Sequence, residues 1–319
     1  MKQSRGPERT PVKVIRAEEM GMCFGVRDAL AAARSLADPG SVTIHGELVH
    51  NAEVLLDLGR RGFHSTPEGD RARVPATPRV LITAHGVSRR ERERLRAAGK
   101  EVLDTTCPLV RFVHATALAL QAEGEFVVVI GRHGHVEVEG IVGDLDRHAV
   151  LERVDEAVPY PAERIAVICQ TTTPPERARA LFASIVSANP GREVRFVDTI
   201  CGPTRNRQDA ASKLLAAVDA VVVVGGRNSN NTRELVRLAD AHAVPVVHVR
   251  SSADLDPAWV RRYRTVGLTA GTSTLDETID EVHTALLALA ENYTEEGGRD
   301  DRDEGEPVAL DCDAARIGM

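Results

Sequence analysis

The sequence predicts an α/β fold: three similar α/β lobes with mostly parallel sheets, arranged around a central cavity. Three observations lead there. Apolar runs of strand length alternate with segments of helical period along nearly the whole chain. Two stretches almost repeat each other, Val102-Leu103-Asp104-Thr105-Thr106-Cys107 and Phe196-Val197-Asp198-Thr199-Ile200-Cys201, each a short β-like run that closes on a cysteine. Cys23 stands comparably, after an apolar run at 12–15 and a loop at 17–22, and the three cysteines are spaced by 84 and 94 residues, each about the length of a small α/β unit.

In chain order, strand-like runs fall at 41–44, 80–83, 126–130, 165–169, 220–224, 245–249 and 265–268. Helix-period segments fall at 26–37, 51–61, 88–98, 175–187, 207–217, 232–242 and 276–289. Continuous Val/Ile/Leu strands separated by helices indicate parallel sheets covered on both faces. Ligands of such sheets collect at the carboxyl ends of the strands, and the polar clusters lie there. Ile82 leads into Thr83-Ala84-His85-Gly86, Ile130 into Gly131-Arg132-His133-Gly134-His135-Val136-Glu137, and Ile168 into Cys169-Gln170-Thr171-Thr172. Val224 leads into Gly225-Gly226-Arg227-Asn228-Ser229-Asn230-Asn231, and Leu268 into Thr269-Ala270-Gly271-Thr272-Ser273-Thr274. The predicted units are lobe one at 17–106 with Cys23, lobe two at 107–200 with Cys107, lobe three at 201–290 with Cys201, and an acidic C-terminal tail at 291–319.

Composition narrows the function. At 319 residues and 43% hydrophobic content the chain can bury several cores, built from Val, Leu, Ile and Ala because aromatics are only 3%. The net charge of −7 is concentrated between 294 and 306, where seven acids face two arginines; the rest is close to neutral, so no nucleic-acid partner is expected and the tail reads as a solvated segment. No apolar stretch approaches the ~20 residues of a membrane span, and the charged first ten residues lack the apolar core of a signal peptide, so no membrane partner and a cytoplasmic location are expected. In a reducing compartment five cysteines point to metal binding or catalysis rather than disulfides.

Three lobes that each deliver one thiolate to a common point make a metal site with three protein ligands. Iron–sulfur clusters are held by thiolates, normally four, so three would leave one iron open to substrate. Zinc takes three cysteines plus water, but its sites usually draw paired ligands from Cys-x-x-Cys segments, which this chain lacks. The plain alternative is that the cysteines are small buried hydrophobes. Cys169 is read that way and Cys312 as a tail residue, because neither shares the Asp-Thr-x-Cys or Gly-Met-Cys-Phe-Gly context.

The motifs Gly21-Met22-Cys23-Phe24-Gly25-Val26, Leu48-Val49-His50-Asn51, Ala84-His85-Gly86-Val87-Ser88, Asp104-Thr105-Thr106-Cys107-Pro108-Leu109-Val110 and Gly134-His135-Val136-Glu137-Val138-Glu139-Gly140 continue with Gln170-Thr171-Thr172, Asn206-Arg207-Gln208, Asn228-Ser229-Asn230-Asn231 and Thr269-Ala270-Gly271-Thr272-Ser273. In this order the chain resembles the IspH/LytB family of 4-hydroxy-3-methylbut-2-enyl diphosphate reductases over nearly all of residues 12–290. The resemblance implies three lobes around a 4Fe–4S cluster with one iron not bound by cysteine. It also implies reductive removal of an allylic hydroxyl to give isopentenyl and dimethylallyl diphosphates.

Under that resemblance Cys23, Cys107 and Cys201 hold the cluster, Glu137 is the proton donor or relay, and Thr171 hydrogen-bonds the substrate hydroxyl and hands on protons. Burial beside a diphosphate is expected to raise the Glu137 pKa. His50, His85 and His135 are expected to meet the diphosphate, with charge if protonated near neutral pH. Ser229, Asn230, Asn231 and Ser273 add donors at loop-to-helix junctions. Thr204 and Asn206 are expected to line the same cavity, whereas His45, His114 and His133 are read as ordinary polar residues. Gly225-Gly226-Arg227-Asn228 lacks the Gly-x-Gly-x-x-Gly spacing of a dinucleotide site, so electrons are expected from a separate carrier such as ferredoxin or flavodoxin.

The chain departs from the family pattern at Asn230, where many relatives have serine, and at Val136, often proline, which is expected to loosen a loop carrying Glu137. Arg205 and Leu275 replace residues usually small, polar or proline, and Arg205 either adds charge near the phosphates or points outward. The competing readings are a paralogue acting on another allylic diphosphate, a non-catalytic iron–sulfur sensor and a zinc-binding α/β protein.

Overall fold

The computed structural model describes residues 12–291. Cys312 and the acidic tail beyond 291 lie outside the described residues.

Strand β1 (Lys13–Arg16) leads through a loop into helix α1 (Phe24–Arg34). Then follow β2 (Val42–His45), α2 (Ala52–Arg60), β3 (His64–Thr66), β4 (Arg79–Ile82), α3 (Arg89–Ala97) and β5 (Glu101–Asp104). The second lobe runs α4 (Pro108–Ala122), β6 (Phe126–Ile130), α5 (Val136–Val142), β7 (His148–Leu151), β8 (Arg164–Cys169), α6 (Pro175–Ala188) and β9 (Glu193–Phe196). The third runs α7 (Gly202–Leu215), β10 (Ala220–Val224), α8 (Asn230–Ala241), β11 (Val246–Val249), α9 (Pro257–Val260), β12 (Thr265–Ala270) and α10 (Asp276–Glu291).

The described strands form three four-stranded sheets, ordered β3-β2-β4-β5, β7-β6-β8-β9 and β1-β12-β10-β11, and every pairing is parallel. Each sheet therefore repeats one plan. The strand that precedes a cysteine sits on the edge, next to the strand that the following lobe-end helix connects to it. In the third sheet that edge is filled by β1, the first strand of the chain. The run at 12–15, which stood ahead of the first unit in the sequence, thus belongs to the last sheet. The other two lobes fill this edge with the strand after their final helix.

Central strands β6 and β10 are buried along their whole length. Helices cover both faces of each sheet, as continuous Val/Ile runs require. Each fully buried Val, Leu or Ile contributes roughly 1.5–3 kcal/mol. These rigid sheets aim three sets of strand-end loops at one centre.

Side chains and carbonyls lock the lobes together around it. Asn51 Nδ2 donates to Ser273 O at 2.7 Å and Ser273 Oγ donates to His50 O at 3.2 Å, joining lobes one and three. Backbone N–H groups of Arg89 and Arg90 donate to Asp144 at 2.6 and 3.0 Å, joining lobes one and two. Arg177 pairs with the buried Glu234 at 2.6 Å, joining lobes two and three.

Three helices were not visible in the sequence: α4, α5 and the four-residue α9. The α5 helix is buried on nearly all sides, so it has no polar face to produce an amphipathic period, and α4 carries apolar residues around most of its circumference. Glu137 accordingly stands in the first turn of a helix rather than in a loop. Val136 is the first helical residue, a position where proline is favoured but not required, so its presence does not loosen the segment. Strands β3 and β7 were missed because they are short and half exposed.

Candidate active site

Each of the three cysteines is the N-cap of a helix: Cys23 of α1, Cys107 of α4 and Cys201 of α7. Each places its backbone N–H on a carbonyl two residues beyond the neighbouring strand. Cys23 N–H donates to Thr272 O, Cys107 N–H to Ala84 O and Cys201 N–H to Thr171 O, at 3.2, 3.1 and 3.1 Å. The repeat seen in sequence is thus a repeat of geometry, and it brings all three thiols to one cavity of about 80 Å3. Among the described residues no three His, Cys, Asp or Glu side chains close on a point small enough for a single metal ion. Burial pushes the Cys107 thiol up, and the Cys201 thiol up to about 11, although backbone N–H groups at both helix starts, and the Thr204 hydroxyl at Cys201, pull the other way. Cys169, by contrast, lies in the apolar core of lobe two.

The same cavity contains Glu137 and Thr171. The Glu137 carboxylate accepts hydrogen bonds from Thr171 N–H at 2.6 Å and Thr171 Oγ at 3.0 Å. Burial pushes its carboxyl up to about 7, against the lowering effect of the two Thr171 bonds, so the group exchanges its proton near neutrality. Thr204 is fully buried in the cavity wall, with its hydroxyl 3.1 Å from Cys201 Sγ.

Beside the cavity three imidazoles meet. His50 and His85 stack with centroids 4.4 Å apart, and His135 meets them edge-on at 5.3 and 5.7 Å. His135 caps α5, its Nδ1 accepting the Glu137 N–H at 3.1 Å, so the neutral ring carries its proton on Nε2. Burial pushes His135 down to about 3 and His85 well below its ordinary value. Of the two forms the sequence left open, these two rings therefore take the neutral one in the free protein, as N–H donors. His50 holds Glu47 Oε2 at 2.8 Å through Nδ1, leaving Nε2 buried without a partner.

The remaining residues divide. Ser229 caps α8 and accepts the Thr232 N–H at 3.4 Å, Asn231 Oδ1 accepts the Thr272 N–H at 3.1 Å with its Nδ2 buried and unpartnered, and Ser273 rests on the His50 carbonyl. Asn230 turns aside: its Nδ2 donates to Thr172 Oγ at 3.0 Å, so it tethers lobe three to lobe two. Asn206 does not reach the cavity. On α7 it lies two residues past Thr204, roughly 200° around the helix, and is exposed. Arg205 pairs with Asp198, away from the imidazoles, and Leu275 packs on the lobe-one core. His45 and His133 pair with Glu91 and Glu156, and His114 is buried. Sequence reasoning missed Arg207, which is buried and donates to Gly21 O at 2.6 and 3.1 Å, bracing the loop ahead of Cys23. A buried Arg in an Asn-Arg-Gln run gives no signal of its partner.

Three parallel-sheet lobes that meet at thiols, a buried acid and imidazole donors define a three-lobed α/β enzyme. The chain belongs to the LytB protein family, whose model matches residues 14–287. The relative from Anaeromyxobacter sp. (strain K), named 4-hydroxy-3-methylbut-2-enyl diphosphate reductase, is 37% identical over 278 residues, 86% of this chain and 98% of its own. The relative of the same name from Aquifex aeolicus is 34% identical and covers 88% of this chain and 98% of its own. Among solved structures, the E-1-hydroxy-2-methyl-but-2-enyl-4-diphosphate reductase from Plasmodium falciparum superposes with a TM-score of 0.79 at 26% identity, covering 86% of this chain and 88% of that one. A (E)-4-hydroxy-3-methyl-but-2-enyl diphosphate reductase, described as the terminal enzyme of the non-mevalonate pathway, does so at 0.62 and 32% identity, covering 87% and 99%.

Proposed function

We propose that this protein reduces 4-hydroxy-3-methylbut-2-enyl diphosphate to isopentenyl and dimethylallyl diphosphates, taking up two electrons and two protons and releasing the hydroxyl as water. The observation that carries this reading is that three thiols, the Glu137 carboxyl and the Thr171 hydroxyl line one cavity that adjoins three imidazoles.

The residues fit a 4Fe–4S cluster held by Cys23, Cys107 and Cys201, with one iron not bound by cysteine. Three cysteines lining one cavity supply the thiolates such a cluster needs, and Gly25 leaves room for the Cys107 sulfur: a Cβ there would stand 2.5 Å from it. When bound, the cluster would supply the electrons and a Lewis-acidic iron for the substrate oxygen. Protonation falls to this chain's own groups. Glu137 holds an exchangeable proton near neutral pH, and Thr171, donating and accepting through one hydroxyl, can pass it to the departing oxygen. His50, His85 and His135, with Ser229, Asn231 and Ser273 behind them, would hold the diphosphate and orient the allylic carbon.

A separate carrier such as ferredoxin or flavodoxin would deliver the electrons, since the glycine loop after β10 lacks dinucleotide spacing. No helix among the described residues is long and apolar enough to cross a membrane, which accords with a cytoplasmic location. Anaerobic reconstitution with iron and sulfide, followed by turnover of the allylic diphosphate with a chemical reductant, tests the proposal. Both C5 diphosphates are expected; a loaded protein that forms neither overturns it.

A further inference from the structure

Two carboxylates, Glu47 and Glu68, line the cavity of about 220 Å3 in which His50 and His135 stand. A diphosphate brings several negative charges to the same place, and uncompensated carboxylates there would repel it. Each has a basic partner. Glu47 Oε2 lies 2.8 Å from His50 Nδ1, and Glu68 Oε2 lies 2.8 Å from Arg71 Nη2. The pairs are linked, because the other Glu68 oxygen accepts the Glu47 backbone N–H at 2.8 Å.

Arg71 is built into its place. Its side chain is only 17% exposed and lies flat on Gly46, where a Cβ would stand 2.2 Å from Nη2 and where φ is +103°. Arg94, held to Glu91 by two bonds of 2.7 Å, grips the Arg71 carbonyl at 3.1 Å. The Arg71 Nε is buried with no hydrogen-bond partner, and its charge acts on both His85 and His135. Burial on this scale is costly for a guanidinium whose only service is to tie down a loop.

Building on the diphosphate reading of this cavity, we propose that Arg71 is a positioning residue for the anion site. It neutralises Glu68 and, through Glu68 and the Glu47 backbone, holds the His50 ring with Nε2 as the nitrogen left to meet the diphosphate.

The test uses anaerobically reconstituted holoprotein, with inorganic diphosphate binding followed by calorimetry and KM and kcat measured with the allylic diphosphate. Arg71→Met is expected to weaken diphosphate binding and raise KM about tenfold, with kcat within about twofold, because Glu68 is left uncompensated. Arg71→Lys keeps the charge and is expected to stay within about threefold of wild type. Glu68→Gln combined with Arg71→Met removes the stranded charge and is expected to recover affinity to within about threefold. A lower melting temperature with unchanged KM and diphosphate affinity in Arg71→Met would mean packing alone and overturn the inference. So would an affinity loss that Glu68→Gln fails to relieve. Should Arg71→Met not fold, the lysine variant and the charge-balanced pair decide: affinity near wild type in both supports the role, and loss in either overturns it. Wild-type protein that binds inorganic diphosphate yet reduces no allylic diphosphate would overturn the reductase reading while the Arg71 comparison still stands.

Discussion

Thr171 gives both its backbone N–H and its hydroxyl to the Glu137 carboxylate, at 2.6 and 3.0 Å, inside a cavity that buries the acid completely. Burial raises the pKa and the two bonds lower it, and the balance leaves the group near 7. An acid so placed is protonated below neutrality and ionised above it.

Glu137→Gln is therefore expected to lower kcat by about 100-fold or more, with KM for the allylic diphosphate changed by less than about threefold. In the native enzyme kcat/KM should fall as pH rises through about 7, where the donor of the free enzyme loses its proton, and this limb should vanish in the variant. A variant that keeps native turnover under anaerobic assay removes Glu137 from the chemistry.

Thr171→Val deletes one bond to the ionised carboxylate while preserving side-chain shape. Because that bond lowers the Glu137 pKa, its loss should move the alkaline limb of kcat/KM upward in pH, in addition to slowing turnover by roughly tenfold to 100-fold. The pH–rate profile separates this from simple misplacement, which would slow the reaction and leave the limb where it was.

The residues proposed to carry the chemistry were readable because each reports itself locally. Cys107 and Cys201 close matching strand-and-cysteine motifs, and Glu137, Thr171 and His85 follow the apolar runs that become β6, β8 and β4. Residues whose role depends on a partner were not. Arg71 and Glu68 sit in an irregular stretch between β3 and β4, and only the folded chain sets them beside Glu47. Asn206 was placed in the cavity by its nearness to Cys201 along the chain, but α7 turns it outward. The protonation of His85 and His135 was left open by the sequence because desolvation, the dominant effect on both, is a property of the packed site.

Gly25→Ala probes the thiol cavity without touching a thiol. The added Cβ would stand 2.5 Å from Cys107 Sγ, so the sulfur must shift. Iron and sulfide content after reconstitution should fall sharply, as it should for serine at Cys23, Cys107 or Cys201. Cys169→Ser, deep in the lobe-two core, is expected to keep its iron and to cost stability, about 1–3 kcal/mol for a hydroxyl buried in place of sulfur. Full iron loading in Gly25→Ala would place the guest elsewhere.

Diphosphate binding should take up protons, and the hydrogen bonds decide where. His135 is barred from accepting one, because its Nδ1 already receives the Glu137 N–H. His85 Nδ1 is buried with no partner, so a polyanion beside the ring favours its charged form. For His85, neutral in the free protein and raised by the anion, affinity should strengthen as pH falls and weaken as pH rises through the bound-state pKa, by up to about tenfold per pH unit for each proton taken up. Calorimetry in buffers of different ionisation enthalpy measures the proton count directly. An uptake that persists undiminished in His85→Gln would take His85 out of this role, and zero uptake in the native protein would mean that the ring binds the diphosphate in the neutral form it already holds.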